Sequence, residues 1–316
     1  MFKLVKKQST APISLKEHFL RKDRVLVKRR AGGFGDILMQ RMMWEDFATQ
    51  NQEIEFTYAC PSKYIDFAQN HPFINTIKID DINEREYGII YDITTCCCIY
   101  ESSLGAKNTK NRSDIWANYC GVDLKNHNMH LKADPNLKKI AQENISKLNP
   151  NNLPTVLFAP QSTNCDFGIG KSLTQEQILE TTLQLWEMGY FVISIHNEVI
   201  QAFTELGVPQ LIRLHPLVWI AVTDIVDYVI SVDTATFHLA GGLRKKLVGI
   251  FTFTDGKIYG KYYDFVLVQK HRDNGNWDCG PCHLNHLCPK TKEKKKPCLT
   301  ELNANDIIDG FKKLIF

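Results

Sequence analysis

Along most of the chain, short runs of consecutive apolar residues alternate with longer stretches in which apolar positions recur every third or fourth residue. The first run, Arg24 to Arg29 (RVLVKR), leads at once into Ala31-Gly32-Gly33-Phe34-Gly35-Asp36. Beyond it, Met39, Met43 and Phe47 recur at the spacing of one helix face. Strand, glycine turn and helix in this order predict the opening of a βαβ unit. Strands are predicted at Ile54 to Ala59, Thr76 to Ile79 and Gly88 to Ile93, with a helix at Pro61 to Gln69 that starts on its proline. Pro135 to Leu148 predicts an amphipathic helix with Leu137, Ile140 and Ile145 on one face. Residues 1–22 show no period and predict an irregular arm.

Asn149-Pro150-Asn151-Asn152-Leu153-Pro154 then breaks the pattern with prolines and asparagines, which predicts a boundary between a domain at residues 1–150 and another at 151–316. The second half repeats the same grammar. Strands are predicted at Thr155 to Ala159, Tyr190 to Ile195, Asp227 to Val232 and Leu247 to Phe253. Between them lie helices at Thr174 to Met188 (Ile178, Leu179, Leu183 and Trp186 inward), Glu198 to Leu206 and Asp233 to Leu243. Strands alternating with helices argue for an α/β protein with parallel sheets covered on both faces. Two such units in tandem place a ligand crevice at the carboxyl ends of their strands. A last helix, Asn305 to Phe316, carries Ile307, Ile308, Phe311, Leu314 and Ile315 and must dock back onto the body.

Composition narrows the picture. A length of 316 residues suffices for two cores, and 44% hydrophobic with 23% charged residues excludes a disordered chain. With 38 Lys and Arg against 35 Asp and Glu, a net charge of +3 excludes bulk phosphate neutralisation as the main task, while leaving room for one basic groove. No apolar run reaches the roughly 18–20 residues that span a bilayer. The basic stretch Met1 to Lys7 lacks an apolar core behind it, so the sequence predicts no signal peptide and a cytoplasmic protein.

Two strand-to-helix junctions carry candidate chemistry. At the first, glycines let backbone approach a ligand closely, and Asp36 stands at a helix start where the macrodipole favours its charge. At the second, Ser231-Val232-Asp233-Thr234-Ala235-Thr236-Phe237-His238 ends a strand on an acid and offers hydroxyls, an imidazole and helix-terminal N–H groups to an anion. Read alone, Asp36 also serves as an N-cap and His238 as a buried histidine behind a capped helix. Neither junction fits G-x-G-x-x-G or a phosphate-binding loop with its lysine.

Taken together, Gly35-Asp36-Ile37-Leu38 after a strand, and Asp233-Thr234-Ala235-x-x-His238-Leu239-Ala240 after another, make the chain resemble glycosyltransferase family 9, the ADP-heptose:lipopolysaccharide heptosyltransferases. Val156 to Pro160 before a loop ending at Lys171, Leu247 to Phe253 followed by Thr254-Asp255 and Tyr259-Gly260, and the cysteine-bearing tail extend the likeness over residues 24–316. Ala235-Thr236 depart from the Gly-Pro common after Asp-Thr, and Gln40, Arg41 and Met42 replace the usual proline or small residues.

The resemblance implies a GT-B architecture of two Rossmann-like domains facing across a cleft. It implies inverting transfer of a heptose-like sugar from a nucleotide diphosphate without a required metal. Carried over by position, it makes Asp36 the general base. Gly35, Asp233, Thr234, Ala235, Thr236 and His238 would line the donor diphosphate, with Lys171 as its cation and Glu198 on the donor ribose. The implied partners are a nucleotide-diphosphate sugar, an ADP-sugar favoured, and an acceptor glycan or glycolipid. Peripheral membrane contact stays open. So do a nucleic acid or protein acceptor such as modified DNA, and a non-catalytic nucleotide-sugar-binding or scaffold role.

Cys279-x₂-Cys282-x₅-Cys288-x₉-Cys298 has spacing compatible with a structural zinc, with His283 and His286 as alternative ligands; reduced thiols in a loop are the other reading. Lys290 to Lys296 reads as a solvated loop able to reach a phosphorylated acceptor. Cys96-Cys97-Cys98 reads as small apolar packing.

Overall fold

The computed structural model describes residues 24–162, 170–270, 282, 287–288 and 291–315. The arm at 1–22, Cys279, His283, His286, Lys290 and most of the loop that contains Cys165 lie outside the described residues.

Two all-parallel sheets organise the chain. In the first, β1 (Arg24–Lys28), β2 (Glu55–Cys60), β3 (Asn75–Lys78) and β4 (Ile89–Asp92) lie in the order β3-β2-β1-β4. In the second, β5 (Thr155–Ala159), β6 (Phe191–His196), β7 (Gln210–Ile212), β8 (Tyr228–Val232), β9 (Lys246–Ile250) and β10 (Val266–Val268) lie in the order β10-β9-β8-β5-β6-β7. Every pairing is parallel, as in Val25 opposite Phe56 and Phe158 opposite Ile230. Strand β5 is buried at all its positions, the mark of a parallel strand covered by helices on both faces. This is the α/β architecture of parallel sheets expected from the pattern, in the two-sheet arrangement that the resemblance implies.

The segment after β1 is not one continuous helix. Helix α1 (Phe34–Gln40) passes through a 3₁₀ turn at Arg41–Met43 into α2 (Trp44–Gln50). The cause is Arg41, whose buried guanidinium donates to the carbonyls of Phe67, Ala68, Gln69, Met129 and His130 at 2.7–3.0 Å. It ties the end of the short helix Ile65–Ala68 and the Met129–His130 loop to the turn, and burial without a carboxylate lowers its pKa to about 9.

After β4 come α3 (Cys96–Leu104), α4 (Arg112–Tyr119) and α5 (Pro135–Leu148). Of the three cysteines that open α3, Cys97 is buried and Cys98 exposed. A capping box between Asn111 and Asp114 starts α4, and Asp134 with Pro135 starts α5. On α5 Leu137 and Ile145 pack against the core as expected, but the third inward position is Ala141, and Ile140 is 53% exposed. The Asn149 to Pro154 break separates α5 from β5.

Helix α6 (Gln175–Glu187) starts on a Thr174/Gln177 capping box. Its inward residues are Ile178, Thr181, Thr182 and Leu185, while Leu183 and Trp186 are exposed. Thr182 is tolerated inside because its hydroxyl donates to the Ile178 carbonyl at 2.8 Å. The expected helix from Glu198 begins only at Gln201, as α7 (Gln201–Leu206), leaving Glu198 in an exposed bend. Next come α8 (Pro216–Ile225), α9 (Ala235–Gly242) and the single turn α10 (Gly256–Tyr259).

The C-terminal helix α11 (Ala304–Ile315) buries Ile307, Ile308 and Phe311. Phe311 wedges edge-on between Tyr190 and Tyr228, and Gly310 lies so close to Val268 that a Cβ there would stand 2.4 Å from it.

The lobes around the two sheets meet through apolar contact as well as polar. Trp219 of α8 packs edge-on to Phe67 and Phe34 at 5.7 and 6.1 Å between ring centroids. Gly242 of α9 faces Met129 and Leu131. No helix among the described residues is long and apolar enough to cross a membrane.

Candidate active site

Helices α1 and α9 both follow a strand at its carboxyl end, and their N-terminal turns abut each other across the lobes. A Cβ on Gly35 would lie 2.9 Å from His238 Cδ2 and 3.6 Å from Ala235 Cα. Only glycine permits that approach, which brings Gly35-Asp36 and Ala235-x-x-His238 to one place.

Asp36 is mostly buried and doubly paired. Its Oδ1 accepts from Arg112 Nη1 at 2.6 Å, and its Oδ2 from Arg29 Nη2 at 2.7 Å and from the Gly33 N–H at 3.1 Å. Burial alone would raise its pKa, but Arg112 and Arg29 outweigh that, and the carboxyl is held below its ordinary value. The side chain is therefore ionised at neutral pH, with both oxygens engaged.

Arg112 is itself shared. Its Nε and Nη2 fork both oxygens of the fully buried Glu101 at 2.7 Å each. The hydroxyl of Tyr259, from the opposite lobe, donates to Glu101 Oε1 at 2.8 Å. Further contacts cross beside it. The Asn111 amide donates to the carbonyls of Ile258 and Tyr259 at 2.8 and 3.1 Å, Lys261 pairs with Asp114 at 3.1 Å, and Tyr262 donates to Asp114.

On the other side, Asp233 closes β8 and is buried. Its Oδ2 accepts from Lys171 Nζ at 2.5 Å and from the Thr254 hydroxyl at 2.8 Å, and its Oδ1 lies 3.7 Å from His238 Nε2. Burial opposes ionisation, but Lys171 and then His238 hold its pKa well below the usual carboxylate value. His238 Nδ1 meets the Tyr263 hydroxyl at 3.1 Å, which fixes the ring. Thr234 is the N-cap of α9 without a side-chain cap bond, so the first turn at Ala235-Thr236 carries the positive end of an eight-residue helix beside the Lys171 ammonium.

The structure thus gathers Gly35, Asp36, Lys171, Asp233, Thr234, Ala235, Thr236 and His238. Glu198 lies on the same rim, at the carboxyl end of β6, but two strands away from Asp233 in the sheet order and exposed. Arg29, Glu101, Arg112, Thr254, Tyr259 and Tyr263 were not foreseen as site residues. Signs existed for Arg29, at the end of the strand before the glycines, and for Thr254 and Tyr259, in the matched segment after Leu247 to Phe253; Glu101, Arg112 and Tyr263 carried none.

Among the described residues, no group of three or more His, Cys, Asp or Glu side chains converges as a metal-holding set. Cys288 is buried and Cys298 lies in a short helix, Pro297–Thr300. Lys296, expected in a solvated loop, is instead buried, with its Nζ 4.0 Å from the Phe253 ring centroid and 3.7 Å from Cys282 Sγ.

This pair of parallel-sheet lobes, with facing helix N-termini at their junction, has the fold of GT-B-like glycosyltransferases. Among solved structures, the chain is similar to the glycosyl transferase family 9 protein from Veillonella parvula DSM 2008, at 12% identity over 93% of this chain and 97% of that one, with a TM-score of 0.66. It is similar to E. coli ADP-heptose lps heptosyltransferase II at 12% identity, 92% and 98% coverage and a TM-score of 0.64. It is also similar to the dodecameric iron-containing heptosyltransferase TibC in complex with ADP-D-beta-D-heptose, at 18% identity, 93% and 78% coverage and a TM-score of 0.67. No family model matches the sequence, and neither does any curated protein.

Proposed function

We propose that this protein is an inverting glycosyltransferase that moves a heptose-like sugar from an ADP-linked donor to an acceptor hydroxyl, with Asp36 as general base. The observation that carries this reading is the contact of the Gly35-Asp36 helix start with the Ala235–His238 turn, in a chain with the heptosyltransferase fold. Among the solved neighbours, TibC is in complex with ADP-D-beta-D-heptose and the E. coli heptosyltransferase WaaC with ADP.

The donor diphosphate would sit on the first turn of α9. There the N–H groups of Ala235 and Thr236, the Lys171 ammonium and the His238 imidazole offer preorganised positive charge for a departing ADP. That charge supports a reaction with no required metal. The acceptor oxygen bonds to the anomeric carbon from the face opposite the diphosphate. As it does so, the C1–O bond to ADP breaks with its electron pair, and the hydroxyl proton passes to Asp36. For this the acceptor hydroxyl takes the place of one guanidinium N–H at the carboxylate. Glu198, at the rim of β6, is the proposed ribose contact. The acceptor class stays as read from the sequence: a glycan or glycolipid, or another hydroxyl-bearing macromolecule.

The cysteines Cys279, Cys282, Cys288 and Cys298 are proposed as a structural zinc set, apart from the reaction. Metal analysis of the purified protein supports this if it finds one equivalent, and removes it if all four thiols react freely in the folded protein.

The experiment for the central reading is calorimetry and ADP release with ADP-heptose. Asp36→Asn should retain binding and lose turnover by about 10²–10⁴-fold. Absence of binding by the unmutated protein overturns the reading.

A further inference from the structure

The contact between Asp36 and Arg112 is one arm of a larger device. Arg112 presents its Nε–Nη2 fork to Glu101 at 2.7 Å on both bonds and keeps only Nη1 for Asp36 at 2.6 Å. A forked pair fixes the plane of a guanidinium, whereas a single N–H contact leaves it free to turn. Glu101 is fully buried, and its partner hydroxyl, Tyr259, comes from the other lobe. The same ring lies under the Arg112 guanidinium at 5.5 Å and 5.9 Å from Lys171 Nζ. Other groups around Asp36 are Arg29 and the Gly33 N–H on its own loop, and His238 against Gly35.

We propose that Glu101 is a positioning residue for Asp36, acting through the guanidinium of Arg112 and held from the opposite lobe by the hydroxyl of Tyr259. By engaging the fork, Glu101 limits Arg112 to one N–H on the base, a single contact that an acceptor hydroxyl can displace. Without that hold, the fork can close on both oxygens of Asp36 and block it. Because Tyr259 belongs to the second lobe, the arrangement is complete only when the lobes are apposed. The proposal rests on Asp36 being the base.

The test uses the full chain with ADP-heptose as donor and water as acceptor, reading ADP release, with donor affinity from calorimetry. Glu101→Gln should lower release about tenfold at unchanged donor affinity, and should add nothing in an Asp36→Asn background, since both changes act on one group. Tyr259→Phe, which keeps every charge and suits the fold, should lower release about threefold, again only while Asp36 is present. Effects that multiply across the two backgrounds, or no effect of either variant, overturn the positioning role while leaving the base assignment standing. Unchanged release in Asp36→Asn alone removes the base assignment, and the proposal with it.

Discussion

Gly35→Ala separates two readings of the α1–α9 contact. On an isolated helix the change favours folding by up to about 1 kcal/mol, because alanine loses less conformational freedom than glycine. Here the new Cβ would stand 2.9 Å from His238 Cδ2, a distance at which something must move. His238 cannot yield easily: the ring is buried, meets the Tyr263 hydroxyl at 3.1 Å and lies against Phe237 at 5.3 Å between centroids. Overpacking of this kind costs about 1–3 kcal/mol, so the net loss of stability is about 0–3 kcal/mol. Turnover is the sharper readout, because displacing a reacting group by an ångström costs on the order of a hundredfold. The control is Gly33→Ala, where nothing lies within 4 Å of the added carbon and φ is −97°. ADP release from ADP-heptose should fall about a hundredfold in Gly35→Ala and stay near the unmutated rate in Gly33→Ala. Equal behaviour of the two variants would refute the claimed contact.

Lys171→Met should weaken ADP-heptose binding in calorimetry and destabilise the fold, because it leaves the buried Asp233 without its ammonium. Asp36 and Asp233 both titrate below the ordinary 3.8 when folded, so their stabilisation is full above that value and is lost as pH falls from there toward their lower folded values. Denaturant midpoints should therefore drop on acidification from about pH 5 to about pH 3, and less steeply in Lys171→Met. Arg41→Met should lower stability in denaturant unfolding, because it leaves buried carbonyls unmet at about 1–3 kcal/mol each, and Arg41→Lys should not restore it, since one compact ammonium cannot reach both Phe67 and His130. Phe311→Ala should cost about 3–5 kcal/mol by releasing the C-terminal helix from Tyr190 and Tyr228.

The strands and the capped helices were legible because their signals are local. Thr155–Ala159 is an apolar run with turn residues before it, and Pro135–Leu148 has its cap, its N1 proline and its breaker in sequence. Helix α8, PLVWIAVTDI, was not assigned: it is apolar almost all round, packed between helices, and so carries no period to read. On α6, Thr181 and Thr182 took the inward face from Leu183 and Trp186, Thr182 with its hydroxyl on the Ile178 carbonyl, which binary patterning cannot foresee.

The same division runs through the site. Asp36, Asp233 and His238 stand at strand-to-helix junctions and announce themselves. Arg112 reaches Asp36 from 76 residues away, and Tyr259 reaches Glu101 from 158 residues away, so only the tertiary fold reveals that Asp36 is clamped. Arg41 reads as a break in the helix face until its carbonyl partners are in place.

The most direct measurement is a crystal structure of the protein with intact ADP-heptose. The account predicts the diphosphate on the first turn of α9, within hydrogen-bond reach of Lys171, and the anomeric carbon facing the Asp36 carboxylate. A donor bound elsewhere, or one whose sugar points away from Asp36, would contradict it.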